Sequence, residues 1–123
     1  MGWIRQDDSG VIAEDRDGLL GAAWYRLFSA EEPGFGFVDT ETPELSIAVV
    51  RERRGEGIGS QLLAALIAQA REEGHPALSL SVSPENPAAS LYARFGFVRV
   101  ASPDDHWTMR LDLRSQSGPR RGE

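Results

Sequence analysis

Residues 46–73, SIAVVRERRGEGIGSQLLAALIAQAREE, switch periodicity within one unit, and no other stretch limits the fold so tightly. Ile47, Ala48, Val49 and Val50 form a short apolar run bounded by charge, the pattern of a buried strand. The basic run 51–54 breaks it, and Gly55, Gly57 and Gly59 follow. From Ile58 the apolar spacing turns helical: Ile58, Leu62, Leu63, Leu66, Ile67 and Ala70 share one side of a helical wheel. Gln61, Gln69, Arg71 and Glu72 fall largely elsewhere, and Gly74 and Pro76 supply a stop. The unit is a strand, a basic Gly-rich turn and an amphipathic helix.

Such a turn suits an anion. The first turn of a helix carries N–H groups with no partner inside the helix. The aligned dipole adds partial positive charge there, worth roughly 0.3–1 kcal/mol per exposed anionic group. Glycines let an oxygen approach those amides, and Arg53 or Arg54 can add a full charge. A phosphate or pyrophosphate fits this chemistry; the same glycines also suit a strand-to-helix turn tightened for packing alone. Two phosphate motifs fail on the letters. A P-loop needs a lysine after its glycines, and the chain has none. A dinucleotide fingerprint started at Gly55 needs glycine where Ser60 stands.

Composition narrows the chemistry further. At 123 residues, 41% hydrophobic and 26% charged, the chain is one domain with room for a core. The absence of cysteine excludes disulfides, thiolate nucleophiles and thiolate metal sites, and two separated histidines argue against a metal site. With no lysine, Schiff-base chemistry is out. The net charge of −6 argues against nucleic acid and for a cationic partner such as an amine. No apolar run approaches the roughly 18 residues of a membrane span, and the first ten residues are not signal-like, so a cytoplasmic protein off the membrane is expected.

Along the chain, residues 1–9 have no clear period and are expected to enter as loop. Val11 to Ala13 make a short strand, and Asp15-Arg16-Asp17-Gly18 a hairpin turn. Residues 19–28 form the partner strand, apolar on both sets of alternate positions and so expected to be covered on two faces. The acidic loop 29–43 carries Phe35 and Phe37 and could bind an ammonium group or simply be solvated. Residues 77–83 alternate Leu78, Leu80 and Val82 against Ser79, Ser81 and Ser83, a strand expected to lie parallel to residues 45–50. The serine face borders a polar cleft or is a half-solvated edge. Asn86 and Pro87 make a helix start and Gly96 its stop. Residues 97–100 and 106–113 are strands, and residues 114–123 a disordered tail.

Two blocks carry a resemblance. Arg54-Gly55-Glu56-Gly57-Ile58-Gly59 matches the Arg/Gln-x-x-Gly-x-Gly/Ala signature of the GCN5-related N-acetyltransferase (GNAT) superfamily. The second block, Asn86, Ala89, Tyr92 and Gly96-Phe97, resembles that family's later conserved segment, in the expected order and at the expected separation. The resemblance covers residues 11–113 and implies an α/β (α+β) fold. Its mixed, mostly antiparallel sheet has a central, splayed parallel strand pair, with helices on both faces. The domain is expected to be residues 1–113. Family members normally begin with a strand and two helices before the Val11 strand, and the chain resembles a form lacking them.

The resemblance also implies acetyl-CoA as cosubstrate, without metal. The pantetheine arm would pair with the backbone of Ile47, Ala48 and Val49, and the pyrophosphate would sit on Arg54, Gly55, Glu56, Gly57, Ile58, Gly59 and Ser60. Asn86 would contact the cofactor, and it would also serve as a helix cap. Tyr92 matches the family's general acid. Glu44 occupies a place comparable to the general base of some members; other members carry a Glu where Ser81 stands, which cannot act as one. The acceptor implied is an amine on a small molecule or a protein amino terminus. Two other readings stay open: a non-catalytic acyl-CoA-binding or regulatory module, and a truncated fragment whose uncovered sheet face pairs it with another subunit, as in a homodimer.

Overall fold

Val11 and Ala13, Ala23 and Tyr25, and Leu45 sit on one side of three neighbouring strands, and all five are buried. Alternation of this kind forces a sheet with one dry face. The computed structural model describes residues 3–7, 10–27, 31, 38–51, 55, 57–102 and 105–114. Its strands are β1 (Trp3–Asp7), β2 (Gly10–Asp15), β3 (Gly18–Arg26), β4 (Glu44–Val49), β5 (Ala77–Val82), β6 (Val98–Ala101) and β7 (Trp107–Asp112). They form one sheet in the order β1-β2-β3-β4-β5-β7-β6, antiparallel throughout except for β4 and β5. The helices are α1 (Ile58–Glu72) and α2 (Ala88–Arg94).

Helix α1 covers the dry face of β2 to β5. The six positions of its apolar stripe, Ile58, Leu62, Leu63, Leu66, Ile67 and Ala70, are all buried. Each leucine so buried contributes about 1.5–3 kcal/mol relative to exposure. The helix lies close to the sheet over Gly21, where a Cβ would meet the Ala48 carbonyl oxygen at 2.7 Å and Leu62 Cδ1 at 3.1 Å. It ends as its sequence requires. Gly74 takes a φ of 84°, its N–H bonds the Arg71 carbonyl, and the His75 N–H reaches back to that of Ala70.

Three expectations need correction. Residues 3–7 are not loop: they pair with β2 from Trp3↔Glu14 to Asp7↔Gly10 as an outer strand. The strand thought to be missing before Val11 is therefore present, and only residues 8 and 9 join it to β2, leaving no space for helices between. Strand β3 is not covered on two faces. Gly21, Ala23 and Tyr25 face α1, whereas Trp24 on the opposite face is 41% exposed, beside exposed Ser46 and Ala48. Gln69, expected on the polar side of α1, is 3% exposed, and its Nε2 donates to Glu73 Oε2 one turn on at 3.2 Å. Phe35, Phe37 and the tail from residue 115 lie outside the described residues. Among the described residues no helix is long and apolar enough to cross a membrane.

Candidate active site

The β4–β5 pair is where the sheet comes apart. The two strands run parallel but share a single bridge, Glu44↔Ser79, with the Ser79 N–H bonding the Pro43 carbonyl at 3.0 Å. Hydrogen-bond direction alternates along an antiparallel ladder. Because the Val50 N–H bonds the Leu20 carbonyl at 2.8 Å, the even-numbered residues of β4 turn their backbone groups to β3. Ile47 and Val49 therefore turn theirs toward the opening, as Ser81 does from β5. Ala48, grouped with them from sequence, directs its own backbone groups to β3 and meets the opening only beside its neighbours.

The start of α1 faces this opening. Its N-cap, Gly57, has a left-handed φ of 85° and no side-chain cap, and the first turn carries no acidic residue. A Cβ at Gly57 would meet nothing within 4 Å, so the space before these amides is open. Orphan N–H groups, a first turn without a carboxylate and clear access together favour an anion. The opposite wall is α2, and Gly59 fixes the separation: a Cβ there would lie 3.7 Å from Leu91 Cδ2.

Between these walls lies a cavity of about 770 Å³. Of the residues expected to hold a cofactor, Ile47, Ala48, Val49, Gly55, Gly57, Ile58, Gly59, Ser60 and Asn86 line it. Arg54 and Glu56 lie outside the described residues. A smaller hollow of about 330 Å³ adjoins it within the split, lined by Glu44, Ser46 and Ser81 among others. Ile47, Asn86 and Tyr92 line both spaces. The two candidate proton-transfer residues, Tyr92 and Glu44, thus share one hollow. The serine face is no solvated edge, for Ser79 is fully buried and Ser81 lines the hollow.

Tyr92 is 8% exposed, with its ring edge-to-face on Phe97 at 5.8 Å between centroids. Burial pushes its phenol above the ordinary value of 10, so the side chain keeps its proton at neutral pH. Asn86 stands one residue before Pro87, the N-cap of α2; its Oδ1 accepts the Ala88 N–H at 2.9 Å, and its carbonyl accepts that of Ala89 at 2.9 Å. Sequence reasoning missed Pro87, Ala88, Leu91 and Arg94 as cavity residues. The spacing 87, 88, 91, 92, 94 traces one helical face, a signal that was present once Tyr92 was assigned to the site.

The family model for the Acetyltransferase (GNAT) family matches residues 2–97. The chain belongs to that family. This GNAT chain is 33% identical over 98 residues to mycothiol acetyltransferase of Cellulomonas flavigena, a match covering 77% of the chain. The chain spans 28% of that protein. Against the crystal structure of an N-acetyltransferase from Staphylococcus aureus Mu50 it has a TM-score of 0.70 at 30% identity, covering 85% of the chain and 67% of its counterpart. The fold alone is shared with yncA of Salmonella typhimurium, solved with its cofactor acetyl-CoA. There the TM-score is 0.73 at 24% identity, over 92% of the chain and 69% of yncA. The GNAT chain fits that cofactor in kind. Ile47 turns its backbone groups toward the opening, which suits an amide-bearing arm, and the uncapped α1 start suits a pyrophosphate.

Proposed function

We propose that this GNAT chain is an N-acetyltransferase that moves the acetyl group of acetyl-CoA to a primary amine by direct attack. Acetyl-CoA supplies an acetyl thioester. The amine must be neutral to attack, and a free alkylamine has a pKa of about 10, so it sheds a proton first. Glu44 receives that proton, directly or through water in the 330 Å³ hollow. The amine nitrogen then bonds to the acetyl carbon as the carbon–sulfur bond breaks. Tyr92 gives its proton to the leaving sulfur, and the nitrogen sheds its second proton, which returns to the Tyr92 phenolate directly or through water, leaving a neutral amide and a free thiol.

The observation that carries this reading is the position of Tyr92. A buried, protonated phenol stands at the junction of a space suited to a phosphate-bearing ligand and a space holding a carboxylate. The name of the Staphylococcus aureus relative, an N-acetyltransferase, supports nitrogen as the acceptor atom. The test is to incubate the chain with acetyl-CoA and a panel of amines and peptide amino termini, reading released thiol and acetylated product. Tyr92→Phe should lose product formation while still binding acetyl-CoA.

A second reading is a non-catalytic acyl-CoA-binding module. The two-residue link between β1 and β2 favours it, because no helices stand between those strands to build an acceptor wall. Tight acetyl-CoA binding without turnover of any amine or peptide would select it.

A further inference from the structure

We infer that Arg94 is a specificity residue that recognises a second phosphate of the ligand, the 3′-phosphate on the ribose, apart from the pyrophosphate at the start of α1. This rests on the acetyl-CoA reading above. Arg94 lies on the face of α2 that lines the larger cavity, one turn beyond Leu91. The Gly59–Leu91 approach places that face beside the first turn of α1. Arg94 therefore projects from the wall about 4.5 Å farther along the α2 axis than the contact itself. An anion held on the α1 amides leaves Arg94 at its flank.

Chemistry points the same way. Arg94 is exposed, and no hydrogen bond or ion pair to another described residue holds it. Its neighbours on the wall, Pro87, Ala88 and Leu91, are apolar, and the first turn of α1 brings no carboxylate. A guanidinium with no acidic partner among the described residues, on a cavity wall, matches the fork geometry of a terminal phosphate monoester. A pyrophosphate already met by helix amides has less need of it. The ligand that satisfies both places has an anhydride-linked phosphate pair and a separate phosphate monoester, as acetyl-CoA does and its 3′-dephospho form does not.

The experiment measures dissociation constants of the folded chain for acetyl-CoA, 3′-dephospho-acetyl-CoA and S-acetyl-pantetheine, at low and moderate salt. Wild type should prefer acetyl-CoA to the dephospho form by about tenfold, the scale of one charge-assisted contact. That preference should shrink as salt rises. Arg94→Gln should bind both nucleotides at the level of the dephospho form, and Arg94→Lys should recover part of the preference. A preference unchanged by Arg94→Gln would overturn the inference. So would an equal weakening of both nucleotides, which would place Arg94 on the pyrophosphate. If wild type bound neither nucleotide better than S-acetyl-pantetheine, the acetyl-CoA reading itself would fail, and this inference with it.

Discussion

Tyr92 keeps its proton because burial makes the phenolate expensive, and the sign of that shift sets a pH prediction. If Tyr92 must be protonated to act, the rate should hold past pH 10 and fall only above it. Tyr92→Phe retains the contact with Phe97 and removes only the hydroxyl. Its kcat should drop by about 10²-fold or more, with little change in affinity for acetyl-CoA. Steady-state rates across pH check both statements, and wild-type turnover by Tyr92→Phe would remove the tyrosine from the mechanism. At the other end of α1, Tyr25 is 3% exposed and donates its hydroxyl hydrogen to Glu73 Oε1. Glu73 also lies 3.5 Å from His75 Nε2. Desolvation, then the bond to Glu73, pushes the Tyr25 phenol far up; that same bond is the leading cause that lowers the Glu73 carboxyl. The raised phenol favours the folded state below its ordinary value of 10, and that stability declines as pH rises further. The lowered carboxyl acts in the opposite sense: its contribution is present above the ordinary carboxylate range and is lost as pH falls through the folded value. Tyr25→Phe should flatten the alkaline fall and cost about 1 kcal/mol at neutral pH, given that Glu73 is part-exposed. Thermal melts at neutral and high pH would reveal it.

Among the elements, the strand–turn–helix unit was the most legible. Its period change fixed β4 and α1 almost to the residue, because a two-fold and a helical repeat cannot both satisfy the same letters. The proposed anion preference of the turn rests on the same letters: glycines and a helix start lie together in the chain. Gly57→Val tests it. The left-handed φ of Gly57 should cost a side-chain-bearing residue about 1–2 kcal/mol. The added Cβ meets no protein atom within 4 Å, so the fold should survive while the new side chain enters the anion's place. Calorimetry on the folded variant should show acetyl-CoA affinity reduced at least about tenfold; unchanged affinity would move the ligand elsewhere. The split itself was not legible from the letters. Pairing between β4 and β5 depends on backbone divergence after Glu44 and Ser79, which side-chain patterns do not encode, and only the family resemblance implied it. The face of α2 was half legible, since Tyr92 was placed and its neighbour Arg94 was not.

For the whole molecule, sequence misjudged where the sheet is covered. β3 is apolar on both sets of alternate positions, yet α1 takes only one of its faces, and Trp24 stays largely exposed on the other. Strand β1 was missed because WIRQD has no alternation, and an outer strand is defined by its backbone ladder rather than by its side chains. The uneven cover predicts uneven sensitivity. Leu62→Ala, at 0% exposure against Gly21, should cost about 2–5 kcal/mol. Trp24→Thr should stay within about 0.5–1 kcal/mol of wild type. Denaturant unfolding of both variants decides it, and a Trp24 penalty as large as that of Leu62 would mean its face is covered in solution.

One consequence of the single β4–β5 bridge is mechanical. The sheet is two plates, four strands and three, stitched at Glu44↔Ser79 and strapped by α1. Such a joint resists bending about the strap and yields to opening along the seam. A ligand lying in the seam would act as a second stitch, turning two plates into one rigid leaf. At 100 times its dissociation constant it would add about 2.7 kcal/mol to the stability of the folded chain. The loss of compliance should concentrate in the amide protons of Ile47, Val49 and Ser81, the hinge line itself, rather than spread through the core.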